Sequence, residues 1–221
     1  MTCERVALVL CKMLRPVFTA WYATRRFFLM KRLVIKGIHR MNLGCGTQRI
    51  PGYCGIDADS SAELPLDLSY CNLPFGSESQ DAVICVSAIN YFTRQRSAEL
   101  VQEAYRVLKI GGVARFSVQD MEALARRYVE KDREFFFQKL PDGRERLEGP
   151  TMGDKYAAWF YGYMTAGGRC RYFYDYDSLA YLFKQAGFRV VERKEYLDSR
   201  LEHIELIDNR PDQMFFLEAL K

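Results

Sequence analysis

Histidine is almost missing from this chain: among 221 residues, only His39 and His203 carry an imidazole. The seven cysteines form no CxxC pair. The ligand spacing of a Cys/His zinc site is therefore absent, and no metal centre is expected. Also lacking is a charge-free apolar run near the ~20 residues that a membrane-crossing helix needs. Lys12, Arg15, Arg25 and Arg26 interrupt the apolar stretches of the first thirty positions. No small-residue cleavage site follows a compact apolar core there, so a secretory signal is not expected. Internal repeats and low-complexity runs are missing too, which argues against an array or a disordered chain. Several cysteines sit among apolar residues, where a reduced thiol packs as a small hydrophobe. The expectation is a reducing, cytoplasmic setting.

What is present is an ordinary globular composition, 49% hydrophobic and 27% charged. The length suits one well-filled domain with an appendage. The net charge of +4 is unevenly spread: residues 1–40 hold nine Lys/Arg against Glu4, leaving 23 basic and 27 acidic residues beyond. The excess positive charge thus belongs to an N-terminal arm, 1–38, and the body, 39–221, is mildly acidic. Pro16 should divide the arm into two helices, about 4–14 and 17–34, because proline suits a first turn and breaks an interior. Arg25, Arg26, Arg32 and Lys36 fall on one side of the second at helical spacing. Such a helix can lie peripherally on an anionic membrane surface or grip an acidic partner. The plainer alternative is a helix packed on the domain with its basic face in water.

From position 40, strand and helix signals alternate. Arg40–Leu43 reads as a short strand running into the turn Gly44-Cys45-Gly46. Tyr53–Ile56 reads as a strand ending at Asp57. Asp81–Val86 is a continuous apolar run, as expected for a strand buried on both faces. Residues 97–109 read as a helix closed by Gly111-Gly112, and Val113–Val118 as the next strand. Residues 119–174 are helical, aromatic and punctuated by turns. A helix follows at 177–186 with Gly187 as its cap, then strands at Phe188–Val191 and Met214–Leu217. This order predicts an α/β fold: a doubly wound, mostly parallel sheet with an antiparallel C-terminal edge.

Asn42-Leu-Gly-Cys-Gly46 resembles the first motif of class I S-adenosylmethionine-dependent methyltransferases. The similarity continues through Gly55-Ile-Asp-Ala-Asp59, Asp67-Leu68, Leu73-Pro-Phe75 and the stretch Glu103–Gly112. Arg115–Asp120, Ala186–Phe188 and Phe216–Lys221 extend it to the C-terminus. It is closest to small methyltransferases often associated with bacterial surface-glycan biosynthesis. The resemblance implies a Rossmann-like fold and S-adenosylmethionine as cofactor, held by Asn42, Gly44, Cys45, Gly46, Asp57, Asp67, Leu68 and Ser87. Gly44 and Gly46 would let the backbone approach the cofactor where a β-carbon would collide. Free N–H groups at the start of a following helix would face its carboxylate. Asp57 would accept both ribose hydroxyls, with Asp59 as the substitute if the register shifts. Asp67 either reads the adenine edge or closes an Asx turn before Ser69. Ser87 lines the pocket or caps a helix, and Cys45 reads as packing rather than as a reactive thiol.

The pattern departs from the family at two places. Related sequences commonly carry Glu-His after strand four, where this chain has Asn90-Tyr91. They also tend to have a histidine where this chain has Cys170. The base candidates left are Asp120 and Tyr91. Asp120 also suits the cap of a helix starting at Met121, and a phenol with a pKa near ~10 is a poor base unless perturbed. The acceptor then needs no strong base, or activity has weakened on a retained fold.

The insert at about 119–174 lies where such enzymes carry a substrate cover. Its aromatic groups, with Tyr161 and Tyr172, suit sugar rings or planar acceptors, and Arg169 and Arg171 suit carboxylate or phosphate. A satellite core beneath the insert, or a homodimer contact, accounts for the same residues equally well. The function expected is O-methylation of a sugar or glycan precursor. A small-molecule or natural-product methyltransferase and a non-catalytic cofactor-binding scaffold stand beside it. No nucleic-acid partner is expected, because the basic excess is confined to the arm and no Asn/Asp-Pro-Pro-aromatic motif occurs.

Overall fold

The computed structural model describes residues 37–70, 72–161, 164–165 and 168–221. The basic arm expected at 1–38 therefore lies outside the described residues, apart from its last two positions.

The parallel core of the sheet is built from four segments with buried patterns: β1 (Arg40–Leu43), β2 (Cys54–Asp57), β3 (Leu64–Pro65) and β4 (Gln80–Val86). In β4 only Asp81 is exposed, as befits a strand covered on both faces. β5 (Leu108–Gln119) follows the helix α1 (Arg94–Val107), whose N-terminus is capped by Thr93 Oγ1 accepting from the Arg96 amide. Leu100, Val101, Ala104 and Val107 give α1 its buried stripe. The helix ends earlier than the sequence pattern indicated. Leu108 already pairs with Gln80, so the two glycines lie inside the strand rather than closing the helix.

Three helices fill the insert: α2 (Met121–Val129), α3 (Arg133–Phe136) and α4 (Met152–Tyr161). A two-stranded hairpin follows, β6 (Met164–Thr165) with β7 (Gly168–Arg169). Beyond it, α5 (Tyr176–Ala186) starts on an Asp175 cap and stops at Gly187, whose φ of 105° is left-handed. A β-carbon on Gly187 would sit 3.1 Å from the Tyr105 ring, a second reason for glycine there. The expected strand at 188–191 begins two residues later, as β8 (Val190–Lys194), because Phe188 turns inward onto Phe183 and Tyr105. The last strand, β9 (Met214–Leu220), runs longer than expected.

The seven strands pair in the order β3-β2-β1-β4-β5-β9-β8. β1 through β5 pair with one another in parallel; β9 is antiparallel to both β5 and β8. The Rossmann-like architecture is thus as expected, with the β9–β8 pair as the antiparallel edge. Strand order reverses at β1, whose neighbours are β2 on one side and β4 on the other. A crevice opens at the carboxyl ends of the strands at such a switch point.

One element is missing among the described residues: no helix links β1 to β2. Residues 44–53 form turns and irregular backbone instead. Ile50 and Tyr53 of that link pack with Ala82, Ile84 and Ile207. The C-terminal loop thereby covers part of this face, with Leu201 and Ile204 packed against the same cluster. The expected helix N-terminus after Gly46 does not exist, so it offers no amides to a carboxylate.

Candidate functional site

A cavity of about 510 Å³ lies at the switch point. Its floor is the turn after β1. Gly44 takes φ +66° and Gly46 φ +51°, conformations that a β-carbon disfavours. At Gly44 space is closed as well: an added β-carbon would lie 2.2 Å from Ala88 Cβ. At Gly46 a β-carbon would meet nothing within 4 Å, so that position leaves open room beside the backbone.

The end of β2 meets this turn directly. The Gly46 amide donates to Asp57 Oδ2 over 2.9 Å, and the Asp59 amide donates to Oδ1 over 3.0 Å. Each carboxylate oxygen retains acceptor capacity for a ligand hydroxyl. Asp67 and Leu68 form another part of the wall. Asp67 Oδ1 accepts from the Ser69 amide, so it closes the expected Asx turn, and the residue also lines the cavity. Ser87 also lines the cavity, at a left-handed φ of 57° that is rare outside glycine. Its amide donates to the Ser117 carbonyl and its Oγ accepts from Gln119 Nε2 at 2.8 Å, two bonds that hold it in place.

Charge follows the same geometry. Asp57, Asp59 and Asp67 face the cavity against the single guanidinium of Arg210. Asp59 titrates below the ordinary carboxylate range, chiefly because the Ser61 amide hydrogen-bonds to it. The Cys45 thiol is pushed up to about 11 by burial, which outweighs the nearby Arg49. It is protonated at neutral pH and acts as packing, in line with its expected role.

Several expected residues stand elsewhere. Asn42 is buried in β1 and does not line the cavity, and neither its amide nitrogen nor its oxygen finds a hydrogen-bond partner among the described residues. Asp120 is also absent from the lining. Its Oδ1 caps α2 by accepting from the Ala123 amide at 3.0 Å, and its Oδ2 pairs with Arg193 at 2.7 Å. Those two bonds fix it as a structural carboxylate rather than a base. Tyr91 lines the cavity together with Phe92. It also hydrogen-bonds to Cys170, whose thiol burial pushes upward.

The proposed acceptor residues divide. Tyr172 is half-buried, and its amide and that of Arg171 both donate to the Asn90 carbonyl, which joins this segment to the turn carrying Tyr91. Tyr161, Arg169 and Arg171 are exposed and do not line the cavity. Much of the insert's aromatic content serves its own core: Phe135, Phe136 and Trp159 are buried with Leu124 and Leu147. His39 and His203 are both exposed and outside the cavity.

Three contributors escaped the sequence reading. Arg49 clamps the glycine turn: Nη1 donates to the Gly46 carbonyl at 2.9 Å and Nη2 to the Ser61 carbonyl at 2.7 Å. Asn209 and Arg210 reach the cavity from a loop more than 150 positions away from the glycine turn. That loop is held by Arg115, buried in β5. Its guanidinium pairs with Asp208 at 2.6 Å and lies 3.6 Å from Glu218, both also buried. Its Nη1 donates to the Asp198 carbonyl. An arginine set between the apolar Ala114 and Phe116 of a buried strand is the signal that pointed to such an anchor.

The glycine cradle, the open room at Gly46 and an acidic wall suit an adenosyl sugar carrying a cationic centre. Residues 55–116 match the family described as a methyltransferase domain. The human protein named "Probable tRNA methyltransferase 9B" is 28% identical over 163 residues, covering 62% of this chain and 35% of its own length. The mouse protein of the same name is 28% identical over 137 residues, covering 53% and 30%. This chain thus spans about a third of the length of the curated relatives it matches. An S-adenosylmethionine-dependent methyltransferase from Archaeoglobus fulgidus superposes with a TM-score of 0.49 at 12% identity, over 89% of this chain and 94% of that one. One from Mesorhizobium loti gives 0.47 at 15% identity, over 84% and 91%.

Proposed function

We propose that this chain, which carries a class I S-adenosylmethionine-dependent methyltransferase domain, methylates an oxygen of a sugar or glycan precursor. The observation that supports cofactor binding is the convergence of Gly44, Gly46 and Asp57 on one cavity. Asp57 would take the ribose hydroxyls, Leu68 the adenine face and Asp67 its edge, with Ser87 beside them. Bound there, the cofactor supplies an activated methyl group on a sulfonium.

The chain's own residues then bind, orient and exclude water. Nothing beyond that is asked of them, because Asp120 is engaged by Ala123 and Arg193, and both histidines lie outside the cavity. Alignment of this kind can lower a barrier by about 7 kcal/mol or more when geometry is near ideal. Tyr91 and Phe92 bound the side of the cavity next to the 170–172 segment, where an acceptor would enter. The mildly acidic body supports a small acceptor over a polyanion.

A second reading, an acceptor within tRNA, draws on the name of the curated relatives. S-adenosylhomocysteine release, measured over sugar nucleotides, small hydroxyl and amine acceptors and bulk tRNA, separates the two. Turnover on sugar-containing acceptors is the expected result. Turnover on tRNA alone favours the second reading, and tight cofactor binding with no turnover on any of them favours a scaffold.

A further inference from the structure

A second cavity, about 570 Å³, is lined by residues of the insert and of the C-terminal loop. Arg210 lines both, so the two spaces share that residue as a boundary. The second is lined by the 138–141 turn of the insert, by Arg146 and by Gln213 of the C-terminal loop.

Arg146 gives this space its character. Its side chain is only 9% exposed. The guanidinium carbon sits 5.3 Å from the ring centroids of both Phe135 and Trp159, so aromatic faces hold the cation in place. Nη1 donates to Gln138 Oε1 at 2.7 Å and lies 3.7 Å from Asp212 Oδ2. Nη2 is buried and has no hydrogen-bond partner among the described residues. A buried, charged donor left unpaired is costly unless a ligand completes it. Lys139 adds a second cation at the exposed rim and Arg210 a third at the boundary, while half-exposed Asp212 lies beside Arg146 and Glu145 beside Lys139.

We propose that this cavity is an anion subsite that holds the phosphate or diphosphate of a small acceptor. The rest of that acceptor passes Arg210 toward Tyr91 and the cofactor cavity. Arg146 supplies a fixed planar donor, the geometry that best matches phosphate oxygens. The assignment rests on the methyltransferase reading for the acceptor's purpose, but the anion site itself does not depend on cofactor binding.

The test titrates the full chain with inorganic pyrophosphate by calorimetry, alongside a separate titration with S-adenosylmethionine. Saturable pyrophosphate binding is expected, weakened at least tenfold in Arg146→Gln and less in Arg146→Lys. S-adenosylmethionine affinity should stay unchanged in both. Absence of pyrophosphate binding at millimolar concentration overturns the proposal, as does binding that is equal in wild type and Arg146→Gln. Should Arg146→Gln fail to fold, exposed Lys139→Gln decides: a several-fold loss supports the subsite, and no change overturns it. If pyrophosphate is silent while tRNA binding depends on Arg146, the small-acceptor proposal also falls. Failure of wild type to bind S-adenosylmethionine would sink the methyltransferase reading alone.

Discussion

The backbone amide of Gly46 donates to Oδ2 of Asp57 over 2.9 Å, tying the turn after β1 to the end of β2. Beside it the Gly44 and Cys45 amides both donate to the Ile56 carbonyl, so the two features on which any cofactor site here depends are joined side by side. The Gly46 bond also presets the carboxylate: with Oδ1 held by the Asp59 amide, Asp57 cannot rotate without breaking both bonds. The group that would meet two ribose hydroxyls is oriented in advance, which reduces the ordering cost of binding.

Asp57→Ala should remove S-adenosylmethionine binding, and Asp57→Asn should weaken it by about ten- to a hundredfold. The latter figure follows from roughly 1.5–3 kcal/mol for a hydrogen bond to a charged group. Calorimetric titration reads the affinity, and circular dichroism confirms that the variants fold. An unchanged Kd in Asp57→Asn would remove the carboxylate from the site.

Gly44→Ala should be damaging for two separable reasons. The left-handed φ costs a side-chain-bearing residue about 1–2 kcal/mol, and the new β-carbon would overlap Ala88 Cβ at 2.2 Å. Adding Ala88→Gly relieves the overlap and leaves the backbone strain. The double variant should therefore recover part, not all, of the lost Tm and cofactor affinity. Full recovery would show that φ at position 44 is unstrained; no recovery would show that the contact is not the cause.

The sheet and the cavity wall were legible because both rest on local signals. The strand at 81–86, the glycine turn at 44 and 46 and the acid at 57 each show their place in the fold within a few residues. Helix and strand ends were less so: Leu108 leaves α1 for β5 because Gln80 pairs with it, a partner 28 positions away. The missing helix after β1 was hidden for the same reason, since Ile207 and its neighbours, remote in sequence, pack where a crossover would. The loop carrying Asn209 and Arg210 is held at the cavity in part by the Arg115–Asp208 pair, a long-range charge pairing that no spacing rule reveals. The aromatic insert was ambiguous by nature, because a ring that contacts a ligand and a ring in a satellite core look alike in sequence.

Asp208→Ala should destabilise the protein by about 3–5 kcal/mol, because it strands the buried Arg115 guanidinium without its closest partner. It also deletes the bond from the Leu197 amide. A paired replacement, Arg115→Met with Asp208→Leu, should cost less than the single one, since no unpaired guanidinium is left buried and the remaining buried carboxylate, Glu218, keeps Arg200 and Ser199 as partners. Chemical denaturation gives the stabilities. Both changes loosen the loop carrying Asn209 and Arg210, so the paired variant should also lose cofactor affinity despite its better stability. Wild-type affinity in that variant would show that the loop is not held by this pair.

Alkaline pH should unfold the protein earlier than its net charge alone implies. Burial raises the thiols of Cys45 to about 11, and of Cys54 and Cys85 to about 12, from an ordinary 9.0. A raised folded-state pKa means that the folded chain keeps protons which the unfolded chain releases. Stability from these groups is complete below pH 9.0 and is lost progressively as pH climbs toward 11 and 12. Tyr174, pushed by burial to about 12, adds to the same trend above its ordinary 10.0. Thermal unfolding followed from neutral pH into this range should show Tm falling ever more steeply. The Cys45→Ala, Cys54→Ala, Cys85→Ala triple variant starts from a lower Tm because it loses packed volume. Its Tm should nevertheless fall less steeply with pH over the thiol range. Parallel curves for wild type and the triple variant would show that these thiols do not drive the alkaline loss.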